Sequence, residues 1–437
     1  MKWREFLVLF LVLFWFVPLG KASEKITLKE AIQETLKNNP SIKTYQERVV
    51  KANLNIKISR SFYWGELIGN GALHRSEDKL MVSPMTPRKM HQGIDFEKTR
   101  FGYGVSYELP IYLGGKIPLT VDISRLSLDS ASLALKRLQA VIRHRVTELY
   151  HNILSLEGEE KAIAQNIEAL NTLKEHTKLA IDYGKKPPID AYKIDYSIQQ
   201  WKALKVKIKN QRAAMVVALQ TLMGRKGVDM NLSLEPVEFP RILPSTGKTE
   251  MQHFFRFALE HRSDVLAEKK KVAIAEKRVG LAKAERLPSL FAIGTFQTYD
   301  APHVSFDEEW EASLQLRIPL FDGGRRRLKV EQANVEVLEE RMRLFELQQS
   351  IVKEVGDAIA QLKTAQALVK SYESRIRLEK EVDRVETLKY EKGAGNIDDM
   401  LRAKAELAYS KSKWVESIYQ WLNAKSYLRL VLEGEIE

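Results

Sequence analysis

The sequence predicts a mostly α-helical fold with a small β part: long coiled-coil helices joined to four membrane-spanning β-strands per chain, built as an internal tandem repeat. Three observations predict it. The stretch LPIYLGG, Leu109 to Gly115, returns as IPLFDGG, Ile318 to Gly324, with Pro319 standing 209 positions after Pro110. Each copy follows about ten residues that alternate apolar and polar, the period of a strand. Each copy precedes a very long segment whose apolar residues recur at steps of three and four, the seam of a coiled coil.

The elements follow in order. Lys2 and Arg4 precede a wholly apolar run from Phe6 to Val17, and Gly20 and Ala22 supply small residues near a cleavage point. This predicts a secretory signal peptide over residues 1–22, with an apolar run too short to span a bilayer. Thr27 or Ser41 can cap the first helices, and Asn39-Pro40 breaks them apart. The first repeat, 23–223, then holds strands at about 62–73 and 100–110 and a long helix at about 116–183. Its seam reads Ile142, Val146, Leu149, Ile153, Leu156 and, later, Ile163, Ile167, Leu170. The turn YGKKPPID ends that helix, and another helix follows. Residues 224–248, rich in Pro and Gly, link the halves. The second repeat, 249–437, holds strands at about 289–299 and 309–320 and a long helix at about 323–391. Its seam reads Val335, Leu338, Met342, Phe345, Val352, Val355, Ile359, Leu362, and YEKGAGNID ends it.

The shift of the repeat aligns Phe101, Tyr103, Val105, Tyr107 and Leu109 with Trp310, Ala312, Leu314, Leu316 and Ile318. These form the apolar faces of the two alternating strands, with aromatics near their ends, as on lipid-facing barrel strands. At the junctions Pro110 and Pro319 lack the amide that a ladder needs. The pairs Gly114-Gly115 and Gly323-Gly324 let the backbone turn from strand to helix. Neither pair lies in a phosphate-binding glycine motif.

Composition narrows the function. Lys and Arg number 69 against 57 Asp and Glu, a net charge of +12. A basic chain suits nucleic acid, an anionic lipid surface or plain solubility; export removes nucleic acid. With no cysteine there is no disulfide, lipidated cysteine or thiolate metal site. The eight histidines are scattered, and His144 and His151, seven apart, read as solvated helix-face residues. No constellation for catalysis is present, and no cofactor or metal is expected. Lys116 and the run Arg325-Arg326-Arg327 follow the junctions, where they would meet lipid headgroups or solvent.

Geometry then asks for partners. A helix over 116–183 rises roughly 100 Å. Four strands cannot close a barrel, and open edges are not tolerated in lipid. Two chains would supply eight strands and three would supply twelve, so the expectation is an oligomer with a shared barrel and a ring of helix pairs.

The junctions, the turns KKPPIDAYK and GNIDDMLRAKAEL, and the opening ITLKEAIQETLKNNPSI resemble the TolC-type outer-membrane efflux proteins. Where that family usually reads Arg-Pro-Asp, this chain has Arg262-Ser263-Asp264. The resemblance implies a homotrimer whose twelve-stranded β-barrel in the outer membrane continues as an α-helical tube through the periplasm. It implies a passive exit duct, served by a periplasmic adaptor and an inner-membrane pump and contacting outer-membrane lipid. It also implies a closed periplasmic entrance. Asp399 falls at the first of two acidic gate positions, Arg402 at the second, and Tyr390 at a turn tyrosine that holds the mouth shut. Asp190, Asp398 and Asp399 all lie in the first turns of their helices, where carboxylates suit the helix dipole: Asp399 reads equally as gate or cap, Asp190 and Asp398 as caps. The other reading is a periplasmic coiled-coil scaffold or adaptor without a pore.

Overall fold

The structure, a computed structural model, describes residues 25–227, 229–230, 232–237 and 248–434. The expected signal peptide lies outside the described residues, as do 228, 231 and 238–247 of the linker.

Thr27 opens α1 (Leu28–Asn38) with a capping box: its hydroxyl accepts from the Glu30 amide at 3.1 Å and its own amide donates to the Glu30 carboxylate at 2.9 Å. Pro40 holds Asn39 extended, so α1 stops and α2 (Pro40–Ser61) begins. A 3-10 turn, Phe62–Trp64, leads into β1 (Glu66–Met81). The short helix α3 (Pro87–Gln92) sits in the hairpin loop, and β2 (Phe96–Tyr112) returns. α4 (Lys116–Asp182) and α5 (Ile189–Leu222) complete the first repeat. The second runs α6 (Lys248–His261), α7 (Ser263–Ala284), β3 (Ser289–Ala301), β4 (Val304–Arg317), α8 (Arg325–Glu391) and α9 (Ile397–Leu432). α4 and α8 each have 67 residues.

The strand bounds differ from the sequence expectation for identifiable reasons. β1 starts at Glu66 because Phe62–Trp64 close into the 3-10 turn, and it reaches Met81 because the polar stretch after Arg75 still pairs with β2 after a register shift. β2 runs through Pro110 to Tyr112, where a second irregularity absorbs the missing amide. β4 begins at Val304 and ends at Arg317, short of residue 320, because residues 318–320 have no strand beside them.

The chain falls into two compact units. One comprises Ser41–Ala140, Thr249–Gly356 and Val431–Glu437. It holds a single antiparallel sheet in the order β1-β2-β3-β4, so the strands of the two repeats pair at the centre. Ala275, Val279 and Ala282 of α7 pack against Ala333 and Val337 of α8, small side chains that bring the helices close. At the start of α7 the buried Arg262 grips Asp264 through two bonds, 3.1 and 2.7 Å, and Glu354 at 2.7 Å. Glu433 accepts from the Ser263 amide at 3.0 Å and pairs with Arg137 at 3.0 Å. Burial pushes the Asp264 carboxyl up, but the Arg262 bonds and the Arg137 charge outweigh it and hold it below the usual carboxylate range.

The other unit comprises Met1–Pro40, Val141–Lys248 and Asp357–Leu430. Here Gly158 inside α4 makes room for Val415 of α9: a Cβ at Gly158 would stand 2.6 Å from the valine Cγ1. His144 and His151 are not solvated. Each turns its Nδ1 to α9, 2.9 Å from Ser426 Oγ and 2.8 Å from Asn423 Oδ1, and burial lowers both imidazole pKa values. The buried Tyr150 hydroxyl lies 2.8 Å from the Ile26 carbonyl and 2.7 Å from that of Glu235. It fastens the short parallel bridge between Ile26 and Leu234.

Candidate functional site

The sheet is two-faced. On β2, Phe101, Tyr103, Val105 and Tyr107 are exposed and alternate with half-buried neighbours, while Leu109 is half-buried. The ladders carry this face across the sheet, from Leu67 and Leu73 on β1 to Phe296 on β3 and to Trp310, Leu314 and Leu316 on β4. Trp310 is 77% exposed and Leu314 71%. In water such a face would be a large apolar liability. The opposite face carries Glu66, Asn70, Arg100, Ser106, Glu108, Gln297, Glu309 and Glu311, set by the same registers. Each outer strand, β1 and β4, has one unpaired edge. Among the described residues no helix is long and apolar enough to cross a membrane.

The two strand-to-helix corners share one backbone. Gly114 and Gly115 have φ of 65° and 83°, and Gly323 and Gly324 have 69° and 84°. Positive φ at two successive residues is what the doubled glycine supplies. Their surroundings differ. A Cβ on Gly114 would meet the Ala284 carbonyl at 2.8 Å and Leu287 Cβ at 2.9 Å, whereas one on Gly323 would meet nothing within 4 Å. Ile318 beyond the ladder is exposed too. In the second corner Asp322 caps α8, accepting from the amides of Gly324 and Arg326, both at 3.1 Å, and from the Arg326 guanidinium at 3.0 Å. Of the basic run, Arg326 is thus held by Asp322, and Arg327 pairs with Glu331 at 3.4 Å.

The turns at the far ends of α4 and α8 bring the remaining candidates together. Both helices stop in the same way: a glycine with positive φ, Gly184 or Gly393, followed by an amide that reaches back to close the last turn, Lys185 to Ala180 at 2.8 Å and Ala394 to Lys389 at 2.9 Å. Leu170, Ile194, Ile198, Tyr390, Ile397 and Met400 form one apolar cluster from α4, α5, α8 and α9. Within it the Tyr390 hydroxyl donates to Asp190 Oδ2 at 2.8 Å, and Asp190 is only 6% exposed. Lys186, from the first turn, donates to the Tyr390 carbonyl at 2.6 Å and lies 3.7 Å from the ring centroid. Burial first, then the bond to Asp190, pushes the Tyr390 hydroxyl up to about 12.

Asp190 therefore does more than face a helix dipole. Asp398 likewise reaches across, to Lys193 at 2.6 Å, at an exposed site. Asp399 and Arg402 are exposed and no bond joins them; the Asp399 amide donates to Asn396 Oδ1 at 2.8 Å, which makes Asn396 the cap of α9. Lys186 and Lys193 escaped the sequence reading. Their only signal was a cation on either side of the first turn, within KKPPIDAYK. Among the described residues no group of three or more His, Asp or Glu is disposed to hold a metal ion.

Residues 256–434 match the family model for outer membrane efflux proteins. OprJ, an outer membrane protein of Pseudomonas aeruginosa, is 24% identical over 311 residues, 67% of this chain and 62% of OprJ. The chain spans 38%, 62% and 40% of the lengths of the curated relatives it matches. The fold of this chain is similar to that of the CmeC outer membrane channel of Campylobacter jejuni, with a TM-score of 0.78 at 16% identity over 93% of this chain and 85% of CmeC. It is similar also to the outer membrane protein VceC of Vibrio cholerae, with a TM-score of 0.76 at 17% identity over 94% and 97%. The family match lies in the second repeat, while the fold match extends over both.

Proposed function

We propose that the chain is one subunit of a passive exit duct through the outer membrane. In it three copies share a twelve-stranded barrel continued by a helical tube. The observation that carries this reading is the open, two-faced sheet. Its apolar face needs lipid, and its two free edges need strands. Eight strands make a barrel filled by its own side chains, so a duct requires the larger closure.

A second feature supports closure by copies of the same chain. On α8, Leu328, Val335, Leu338, Met342 and Phe345 are exposed at steps of seven, three, four and three, a coiled-coil seam left uncovered among the described residues. On α2, Val50, Leu54 and Ile58 are exposed on one face. α2 leads into β1 and α8 leaves β4. Pairing β4 with the β1 of a neighbouring copy therefore sets these two stripes side by side.

The buried Tyr390–Asp190 bond, with Lys186, and the exposed Lys193–Asp398 pair would hold the two helical hairpins together at the periplasmic mouth. Asp399 and Arg402 would stand there as free charges. Leu179, Tyr183, Ile189, Tyr192 and Tyr196 are exposed around the first turn. Such an apolar, aromatic tip suits docking of a periplasmic adaptor, which would link the duct to an inner-membrane pump. The pore-less scaffold would leave Trp310 and Leu314 in water, and nothing favours it. Purified protein in planar bilayers should give discrete single-channel currents. A preparation that inserts without conducting would refute the duct.

A further inference from the structure

One cavity of about 440 Å³ lies on the polar face of the sheet. Alternation along β2 puts Arg100, Gly102 and Gly104 on that face. The registers place His74 opposite Arg100, Ala72 and Tyr299 beside Gly102, and Asn70 and Gln297 beside Gly104. The floor is therefore backbone and one methyl. Gly104 cannot be anything larger, since a Cβ there would stand 2.2 Å from the Phe296 carbonyl. Around this floor rise Asn70, His74, Arg100, Gln297 and Tyr299.

The rim is rich in donors, and one of them is unmet. Arg100 Nη1 donates to the Met81 carbonyl at 3.0 Å, which fixes the guanidinium. Its Nε is buried without a hydrogen-bond partner, a costly state for a charged group that calls for an acceptor. Tyr299 donates to Gln297 Oε1 at 2.5 Å, which leaves the Gln297 amide nitrogen as a donor. Glu66 and Glu108 lie opposite each other toward the corners, and on β4 the register sets Asp307 across from Tyr299 and Glu309 across from Gln297. Counting strands and residues, the backbone positions of Asp307 and Glu309 are about 12 and 16 Å from Arg100.

We propose that this cavity is a binding site for an anionic group, a carboxylate or phosphate, on the inner wall of the duct. Arg100 offers Nε to the oxyanion, His74 stands beside it, and the Gln297 and Asn70 amides face the remaining oxygens. Rings of cationic side chains serve as anion sites in other pores. Three copies would place three such pockets around the passage. The cavity exceeds a bare phosphate, so it admits an acid group carried on a larger cargo molecule as well as a free anion. The polar wall would then act on passing solutes in two zones of opposite sign, one carboxylate-rich and one centred on Arg100.

The proposal rests on the duct reading, and its test separates the two. Single-channel current of the purified full chain is recorded in planar bilayers while inorganic phosphate is raised at constant ionic strength. Phosphate should reduce the current through the native pore. Arg100→Gln should raise the half-blocking concentration about tenfold, the loss of one charge-assisted bond, and Arg100→Lys should fall between. Glu108→Gln, on the same face, should not weaken the block. Equal block in native and Arg100→Gln pores of unchanged open conductance would overturn the anion site and leave the duct standing, as would the absence of any phosphate effect. A native protein that forms no pore would overturn both. Repeating the titration with a dicarboxylate in place of phosphate distinguishes a site for the acid groups of cargo from one for phosphate alone. Block by either follows from the proposal.

Discussion

The corner LPIYLGG and the corner IPLFDGG turn the backbone through the same pair of positive-φ glycines, yet one is partly covered and the other bare. Leu320 and Phe321 are 91% and 89% exposed, against 53% and 49% for their counterparts Ile111 and Tyr112. The cause is connectivity. The first corner sits against the entry to β3, in the other half of the chain, so the repeat supplies its own neighbour. The second corner follows the edge strand β4, and none of the described residues pairs with the outer edge of that strand. Duplication thus yields one interface inside the chain and one matching vacancy at its edge. In the proposed duct, a ring of copies would fill each such vacancy with the next copy.

The comparison can be broken in graded steps. The largest effect should come from Leu314→Lys with Leu316→Lys, on the bare side of the sheet. Each cation on a lipid face costs about 2–4 kcal/mol near the bilayer centre, so the double variant should vanish from the outer-membrane fraction. Lysines at Ser313 and Gln315, on the opposite face of the same strand, should be tolerated. Equal loss for both pairs would mean that β4 has no lipid side.

The corners themselves come next. Gly114→Ala meets both a positive φ, about 1–2 kcal/mol, and the backbone carbonyl of Ala284, a further ~1–3 kcal/mol of overpacking. It should reduce the yield of folded chain, read by urea unfolding. Gly323→Ala should leave each chain folded, with only the φ cost, and reduce the trimer fraction in native electrophoresis. Identical behaviour of the two variants would erase the difference between the corners.

At the turns the repeats do touch within the chain, and there the effect should be smaller. Tyr390→Phe removes the bond to Asp190 and should cost about 1–3 kcal/mol. It should also lengthen openings in single-channel records. The linkage has a definite sign. An unfolded tyrosine titrates near 10, whereas Tyr390 is pushed up to about 12. Its contribution is full below pH of about 10 and is lost as pH rises toward about 12. Tyr150 and Tyr419 are also pushed up to about 12, so the variant should show a shallower alkaline loss rather than none.

Much of this was legible in the sequence because alternation and glycine pairs are local signals. Phe101 through Leu109 declare a strand by period, and Gly114-Gly115 declare a corner by conformational need. The polar stretch Ser76 to Lys79 hid the end of β1 because it carries no apolar residue to mark a face. The role of Asp190 was half legible: its place in a first turn was visible, but a bond to a residue 200 positions away has no local trace. The burial of His151 was hidden for the same reason, since Asn423 lies on another helix. The seam at Val335, Leu338 and Met342 was legible as apolar, but sequence could not say that it stays exposed among the described residues.

Closure of the proposed barrel requires β4 of one copy to pair with β1 of the next. The native chain has no cysteine, so an engineered pair has no background. β1 and β4 are separated within a chain by two strands, roughly 14 Å, beyond the reach of a disulfide. Cysteines introduced in pairs along the two strands, one in place of Gly71 or Gly69 and one in place of Ala312 or Leu314, can therefore join only different copies. Oxidised membranes on non-reducing gels should show linked species up to a closed trimer for the pairs in register. Chains that remain monomeric across the whole set, with their thiols still reactive, would contradict the shared barrel.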